Sequence, residues 1–240
     1  EIVYSFLSKQ DKIDDKQFKN NKKITKIAIP PSIKFIADMA FYGCSSLTQI
    51  SIPSSVTYIG ANSFRRCEKL EKVSLPISIT TIEEGTFEDC RLMKQINIPP
   101  SIKNIERNAF SKCFSLTKVS LPYSVETIGK RVFSECTSLS QISIPTSVKT
   151  ICDESFISCR SLLQVTIPSS ILTIENGVFW KCSSLEKVSF PFSVRSIGDN
   201  TFSSCTSLLE VDIPSTVTSI GDYCFENCSS FLRVKIPDSI

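Results

Sequence analysis

The sequence predicts an α/β solenoid, a single domain in which one 23-residue unit is repeated coil after coil. Proline recurs every 23 residues, and a fixed period of roughly 20–50 residues is typical of solenoids. Phenylalanine recurs eleven residues after these prolines and cysteine fourteen residues after them, across nine units without insertion or deletion. The prolines are Pro30, Pro53, Pro76, Pro99, Pro122, Pro145, Pro168, Pro191, Pro214 and Pro237. The phenylalanines are Phe41, Phe64, Phe87, Phe110, Phe133, Phe156, Phe179, Phe202 and Phe225. The cysteines are Cys44, Cys67, Cys90, Cys113, Cys136, Cys159, Cys182, Cys205 and Cys228.

Each unit begins with a predicted strand and a turn. Ile50 and Ile52 alternate with polar residues, as in a half-buried strand. Pro53 cannot donate a hydrogen bond to a strand ladder, so it marks the end of that strand. The serine two residues later, Ser55 in this unit, carries a hydroxyl suited to binding turn backbone.

The rest of the unit is predicted to contain a second short extended segment and a short helix. Val56 and Ile59 follow the turn as the extended segment. Phe64, Cys67 and Leu70 lie three residues apart, which suits one or two helical turns with a buried side. The unit is therefore strand, Pro-Ser turn, short extended segment and short helix.

Stacked units place like residues over like residues. At about 4.8 Å per coil, nine steps give a rod roughly 43 Å long. The column of aromatic rings supplies a large buried area, so stability needs neither metal nor disulfides.

The cysteines are predicted to be buried free thiols, which behave as small apolar residues. Disulfides between neighbouring coils are the alternative, although parallel Cβ directions suit them poorly. A zinc site would need four converging ligands, whereas a ladder spreads its thiols along the rod. Cys224 and Cys228 are four residues apart and could share a helix face, but Cys224 is better explained as a substitution for a small residue. Cys152 occupies a glycine position and is the thiol to test for reactivity.

Composition excludes several function classes. The chain has 41% apolar and 21% charged residues, as a globular protein does. Histidine is absent, which removes histidine-based catalysis and histidine metal ligands, and the formal net charge is only +3, too small for a strong field towards nucleic acid. No stretch approaches the roughly 18 apolar residues of a membrane span. We expect no enzyme activity, no cofactor and no metal.

The two ends depart from the regular pattern. Residues 1–29 are predicted to be a degenerate N-terminal coil or cap, and residues 30–240 regular repeats with no C-terminal cap. Tyr4 and Phe6 keep the apolar register of the repeat, as does Ile13 within the lysine-rich stretch 9–23. A basic tail is the alternative, weakened by the interleaved aspartates. Because residue 1 is Glu, we expect a longer protein, with either further coils or an open C-terminal edge that could pair with another copy.

The outward strand positions are the candidate binding site, because solenoids bind partners on long concave surfaces. A solvated sheet whose amide and hydroxyl ladders hold the register is the alternative. The candidate ligand-binding residues are Gln49, Lys72, Gln95, Lys118, Gln141, Gln164, Lys187, Glu210 and Arg233. The neighbouring outward row is Ser51, Ser74, Asn97, Ser120, Ser143, Thr166, Ser189, Asp212 and Lys235. Apolar residues at positions that are polar in most units are a second set of candidate contacts. They are Phe35, Tyr42, Tyr58, Tyr123, Trp180 and Phe192, and we expect Phe35, Tyr42 and Tyr58 to form a cluster.

The repeated string resembles one subfamily of leucine-rich repeats. Residues 212–230 contain an Ile-Pro-x-Ser-Val-like strand exit, an Ile-Gly step and a small-Phe-x-x-Cys segment. These features are similar to BspA-like leucine-rich repeats and cover residues 24–240. The resemblance implies a right-handed leucine-rich repeat solenoid. It also implies a surface-associated or secreted protein that binds a protein ligand, such as an extracellular matrix or host surface protein. An intracellular interaction scaffold with reduced cysteines is the alternative, because oxidising compartments usually convert cysteines to disulfides.

Overall fold

Two columns of short parallel strands run along the chain in the computed structural model, which describes residues 5–240. A 3-10 helix, Ser5–Lys9, precedes them. Tyr4 and the side chain of Phe6, expected in the apolar register, lie outside the described part. The column of three-residue strands contains Lys26–Ala28 (β2), Gln49–Ser51 (β4), Lys72–Ser74 (β6), Gln95–Asn97 (β8), Lys118–Ser120 (β10), Gln141–Ser143 (β12), Gln164–Thr166 (β14), Lys187–Ser189 (β16), Glu210–Asp212 (β18) and Arg233–Lys235 (β20). The column of two-residue strands contains Lys12–Ile13 (β1), Phe35–Ile36 (β3), Tyr58–Ile59 (β5), Thr81–Ile82 (β7), Asn104–Ile105 (β9), Thr127–Ile128 (β11), Thr150–Ile151 (β13), Thr173–Ile174 (β15), Ser196–Ile197 (β17) and Ser219–Ile220 (β19).

Strand pairing follows the 23-residue period. Gln49 pairs with Lys72 and Phe35 with Tyr58, both in parallel register. The three-residue strands form the hydrogen-bonded sheets β2-β4-β6, β8-β10-β12 and β14-β16-β18-β20. The two-residue strands form β1-β3-β5, β7-β9-β11-β13 and β15-β17-β19. The predicted solenoid is confirmed, as a right-handed winding of about ten coils.

The helix predicted in each unit is wrong. The segment after each two-residue strand consists of turns, and two residues in every coil have positive φ, such as Asn62 at 55° and Arg66 at 61°. Left-handed residues four apart interrupt any α-helix. The N–H groups alternate instead: Phe64 donates to Thr86 O in the next coil, and Arg65 donates to Asn62 O in its own. The described chain is therefore parallel β-structure and turns, with the 3-10 helix at its start, and the α/β label does not fit.

The phenylalanine column is buried and stacked, as predicted. From Phe18 to Phe225, consecutive rings lie 5.1–5.6 Å apart between centroids, with interplanar angles of 5–14°. All rings from Phe41 to Phe202 in this column are 0% exposed. Because each ring contacts the rings above and below it, the column joins the coils into one core.

The cysteine column contains free thiols, but they are more than small apolar residues. Each of the nine Sγ atoms lies 3.1–3.3 Å from the carbonyl oxygen of the phenylalanine 26 residues earlier, as Cys113 Sγ does from Phe87 O. The thiol donates this hydrogen bond between coils. All eleven cysteines are unpaired. Burial raises the pKa of Cys44 to about 11 and that of Cys182 to about 12.

In most units the hydroxyl two residues after the repeat proline also joins two coils, although Ser101 and Ser124 lack such a bond. Ser55 Oγ donates to Ile33 O at 2.7 Å, and Ser147 Oγ donates to Val125 O at 2.8 Å. The hydroxyl binds a backbone carbonyl, as expected, but this carbonyl lies in the preceding coil and not in the same turn. Each such bond fixes the register of one coil on the next.

Glycine after the second strand makes room for a side-chain hydrogen bond from the preceding coil. Asn176 Oδ1 accepts from the backbone N–H of Asp199 at 2.8 Å. A Cβ on Gly198 would lie 2.5 Å from that oxygen and 2.8 Å from Asn176 N. Gly60 and Gly221 leave room for Asp38 Oδ1 and Asp199 Oδ1 in the same way.

The lysine-rich N-terminal stretch is folded into the first coil. Ile13 is 0% exposed and Phe18 is 4% exposed, and β1 pairs with β3. Lys12 lies 2.9 Å from Asp14, and Lys16 lies 3.1 Å from Asp15. Within residues 5–29 the geometry is that of a coil.

Candidate functional site

The nine candidate residues lie in one row on the exposed side of the three-residue strands, which we call the long-strand face. Each occupies the first position of its strand and is exposed. The serine-rich row lies beside it, at the third strand position, also exposed. Between them the central residue points into the core, as Val119 does at 1% exposure. Strand alternation therefore brings the candidate residues together.

The long-strand face is recessed at several places. A depression of about 540 Å³ is lined by Lys72, Lys94, Gln95 and Lys118, among others. A second, of about 320 Å³, continues from Lys118 towards Gln164. Recesses on a long sheet face suit an extended ligand better than a small molecule, which is usually enclosed on most sides.

Two of the predicted apolar contacts are neighbours on the two-residue strands. Phe35 and Tyr58 are paired residues of β3 and β5, 42% and 41% exposed. Burial, and then the negative charges of Glu83 and Asp38, raise the pKa of the Tyr58 hydroxyl. The pair forms a small aromatic surface on a different side of the coil from the long-strand face.

Tyr42 does not extend that pair, because it lies on the turn segment of its coil. Lys19 Nζ lies 5.3 Å from the centre of its ring. Trp180 occupies the equivalent position six coils later and has Lys181 Nζ 4.6 Å from its ring centre. Both rings are half-buried, so cation–π contacts hold them in the surface. The expected cluster is thus two separate features.

Tyr123 and Phe192 protrude from the corner that follows the three-residue strands. They are 82% and 77% exposed. Phe192 lines a depression of about 850 Å³ together with Asp212 and Arg233, which are outward residues of the long-strand face. In these coils, the residue after the repeat proline therefore borders that face, as Phe192, Ser215 and Asp238 do.

Ion pairs between coils were not found from the sequence. Arg65 lies 2.9 Å from Glu88, and Arg131 lies 2.6 Å from Glu154. In both pairs the partners are 23 residues apart, and opposite charges at that spacing are the signal that could have revealed them. Burial raises the pKa of the Glu88 carboxyl, and the charge of Arg65 opposes that shift.

The described residues do not bring together three or more side chains able to hold a metal ion. A helix of sufficient length and apolar character to span the bilayer is likewise not found in the described part. Cys152 is partly exposed, as expected, but burial and then Asp153, Glu175 and Glu106 raise its pKa. That environment lowers its thiolate fraction and hence its reactivity.

A profile of the BspA-type leucine-rich repeat region matches residues 11–140 and 126–240, in six copies. The chain belongs to this family. A leucine-rich repeat protein from Bacteroides ovatus is 29% identical, with a TM-score of 0.66 over 95% of this chain and 76% of that one. A leucine-rich cell surface protein from Faecalibacterium prausnitzii is 27% identical, with a TM-score of 0.55 over 96% of this chain and 78% of that one. A leucine-rich repeat protein from T. pallidum is 30% identical, with a TM-score of 0.55 over 78% of each chain. No curated protein matches the chain. The leucine-rich repeat fold is generally used for protein–protein interaction, and its members are typically scaffolds without enzyme activity.

Proposed function

We propose that this leucine-rich repeat protein is a non-enzymatic recognition protein, surface-associated or secreted, that binds a protein ligand on its long-strand face. The observation that carries the proposal is the contrast between the interior and this face. Phenylalanine, cysteine and isoleucine repeat in the core, whereas the exposed row varies among Gln, Lys, Glu and Arg. The core explains the fold in every coil, so variation on the exposed row is free to serve binding.

The ligand class we propose is a protein of the extracellular matrix or of a host surface. The similar Faecalibacterium prausnitzii protein is a cell surface protein, which supports this location. Reduced cysteines are compatible with it, because eight of the nine column thiols are buried and all nine are hydrogen-bonded, with Cys228 partly exposed. A rigid rod with a long polar face suits adhesion to such a partner.

The binding test compares two surfaces of the same coils. The purified chain is immobilised and exposed to extracellular matrix and host surface proteins, and binding is measured by surface plasmon resonance. Gln141→Arg with Gln164→Arg changes the long-strand face, and Thr127→Arg with Thr150→Arg changes the two-residue strands as the matched control. We expect a ligand whose affinity falls at least tenfold with the first pair and less than twofold with the second. Equal effects of both pairs, or no protein ligand in the panel, would contradict the proposal.

An intracellular interaction scaffold is the second candidate function, favoured by the eleven unpaired cysteines. Labelling of intact cells with a membrane-impermeant amine reagent separates the two, because many lysines are exposed on the rod. Labelling supports the surface location, and labelling only after lysis supports the scaffold. A melting temperature that falls appreciably in a mild reducing agent would indicate disulfides and remove the main support for the scaffold.

A further inference from the structure

We propose that three neighbouring strands of the long-strand face, β6, β8 and β10, form a docking groove for an extended peptide segment in which acidic and apolar residues alternate. This inference rests on the proposed function and names the partner chemistry of its site. The evidence is a row of unpaired lysines, a row of exposed apolar residues and a polar row between them.

The lysine row is formed by Lys72, Lys94 and Lys118, which line the depression of about 540 Å³ together with Glu71. Within residues 5–240, no carboxylate lies within ion-pairing distance of any of the three lysines. Some lysines elsewhere on the rod are paired, as Lys149 is with Glu126 at 2.6 Å, whereas others, such as Lys103 and Lys187, have no ion-pair partner within residues 5–240. The three unpaired ammonium groups therefore favour an anionic ligand.

The apolar row begins where the same strands end. Ile77, Pro100 and Tyr123 each follow the repeat proline directly, and all three are exposed, Ile77 by 71% and Tyr123 by 82%. Other coils place Ser, Thr or Asp at most of the equivalent positions. The lining of the depression beside Phe192 places this corner position at the border of the long-strand face. Three consecutive coils thus carry a lysine that lines the depression and, beyond the end of the strand, an exposed apolar residue that lies outside this lining.

The floor of the groove is polar and locally open. Ser74, Asn97 and Ser120 lie between the two rows and offer hydroxyl and amide groups to a peptide backbone. The first sheet of the column ends at β6 and the second begins at β8, and the central residue of β6, Val73, is partly exposed where Ile50 is only 2% exposed. The recess therefore lies across the boundary between these two sheets.

An extended segment lying along this floor sends alternate side chains to opposite sides. Carboxylates on one side would meet the lysines, and apolar side chains on the other side would cover the corner residues. Lys72 and Lys118 are two coils apart, roughly 10 Å by the spacing of neighbouring strands, whereas side chains on one side of an extended peptide recur about every 6.6 Å. The reach of the flexible lysine stems accommodates the difference in repeat.

The test uses a labelled synthetic peptide in which glutamate alternates with leucine, and measures affinity by fluorescence anisotropy. Lys72→Glu with Lys118→Glu should weaken binding at least tenfold, since two attractions become repulsions, and Tyr123→Ser should weaken it about threefold to tenfold by removing apolar contact. The controls are Lys103→Glu, an exposed lysine beside the two-residue strands, and Leu172→Ser, 60% exposed on the same side. Each control should change affinity less than twofold, and circular dichroism verifies that every variant folds.

Altered peptides separate the two chemistries. Replacing glutamate by glutamine, or leucine by serine, should each weaken binding at least fivefold, and the glutamate peptide should lose affinity as salt rises. Equal binding to the double lysine variant, a stronger affinity for a heparin oligosaccharide than for the peptide, or occupation of the groove by a second copy of the chain would overturn the inference. If the protein ligand found in the binding screen still binds the double lysine variant, this groove is wrong and the long-strand face remains its site. If the peptide binds as expected while no protein ligand is found, the groove stands and the proposed recognition function fails.

Discussion

Raising the pH should unfold the protein cooperatively because of its buried thiols. The pKa of Cys44 is raised to about 11, and those of Cys182 and Cys224 are raised to about 12, from an ordinary value of 9.0. Burial is the largest cause in all three. Above about pH 9 the unfolded chain loses these protons while the folded chain keeps them, so stability is fully present below that pH and is lost as the pH rises towards the folded values.

The size of the effect follows from the same shifts. A thiol whose folded pKa is about two units above its unfolded value loses about 1.4 kcal/mol of stability at pH 10. The three thiols together lose about 4 kcal/mol. Burial also raises the pKa of Cys67, Cys90, Cys113 and Cys159 well above the ordinary value, and these thiols act in the same direction. A loss of about 4 kcal/mol is already a large part of the roughly 5–15 kcal/mol that stabilises whole proteins.

The assay is urea unfolding at a series of pH values from about 8 to about 10, followed by circular dichroism. Thiolate absorbance in the ultraviolet is recorded on the same samples. We expect the urea midpoint to fall steeply above about pH 9 and the thiolate signal to appear together with the loss of structure. Thiolates that form near pH 9 in a chain that keeps its native spectrum would refute the reasoning, as would a urea midpoint that does not change.

Three further results are expected from the packing and the composition. Phe110→Ala should lower the free energy of unfolding by about 3–5 kcal/mol, measured by urea unfolding, whereas Phe35→Ala should cost less than about 1 kcal/mol because that ring is 42% exposed. Gly198→Ala should cost about 1–3 kcal/mol, and adding Asn176→Ala should recover part of it in a double-mutant cycle, because the new Cβ conflicts with the Asn176 side chain. Between about pH 6 and pH 8 the melting temperature should stay constant, since the chain has no histidine to titrate there.

The period predicts the core well because an uninterrupted repeat leaves only one way to stack equal units. Once Phe41 lies over Phe64, the same offset places every later ring, and the observed stack follows. The cysteine column is predicted for the same reason. The hydrogen-bond acceptor of these thiols is not predicted from the sequence. Cys67 Sγ and Phe41 O are 26 residues apart and meet only because neighbouring coils stack.

The helix prediction failed because a spacing of three does not distinguish a helix from consecutive turns. Phe64, Cys67 and Leu70 are buried at 0% exposure in consecutive turns, as they were expected to be on the buried side of a helix. The distinguishing signal is at the left-handed positions, where Asn62 and Gly85 are residue types that tolerate positive φ. Another coil has Arg131 at that position. The preference for residues that tolerate positive φ is therefore weak in any single unit and is visible only when the units are compared.

Strand alternation predicts the row of candidate residues, but it does not predict which charges of that row are ion-paired. Lys118 and Arg233 occupy equivalent strand positions. Arg233 lies 4.0 Å from Asp212 of the preceding coil, whereas Lys118 faces Gln95 and Gln141 in its two neighbouring strands. Which charges are free to meet a ligand therefore depends on the side chains that neighbouring coils bring to the same place, and the register of the strands decides that.

Comparison of two equivalent strands separates what folding requires from the charge pattern of the groove. The strands β10 and β16 have the same sequence, Lys-Val-Ser, and their central valines are both buried. Folding therefore makes the same demand on both strands, and it cannot explain why Lys118 has Lys72 and Lys94 nearby while Lys187 lies between Glu186 and Glu210. Charge reversal at Lys187 should accordingly affect the alternating peptide at most about twofold, whereas the same reversal at Lys118 should affect it more. An equal loss at both lysines would mean that the peptide senses the charge of the whole face and not a groove at β6, β8 and β10.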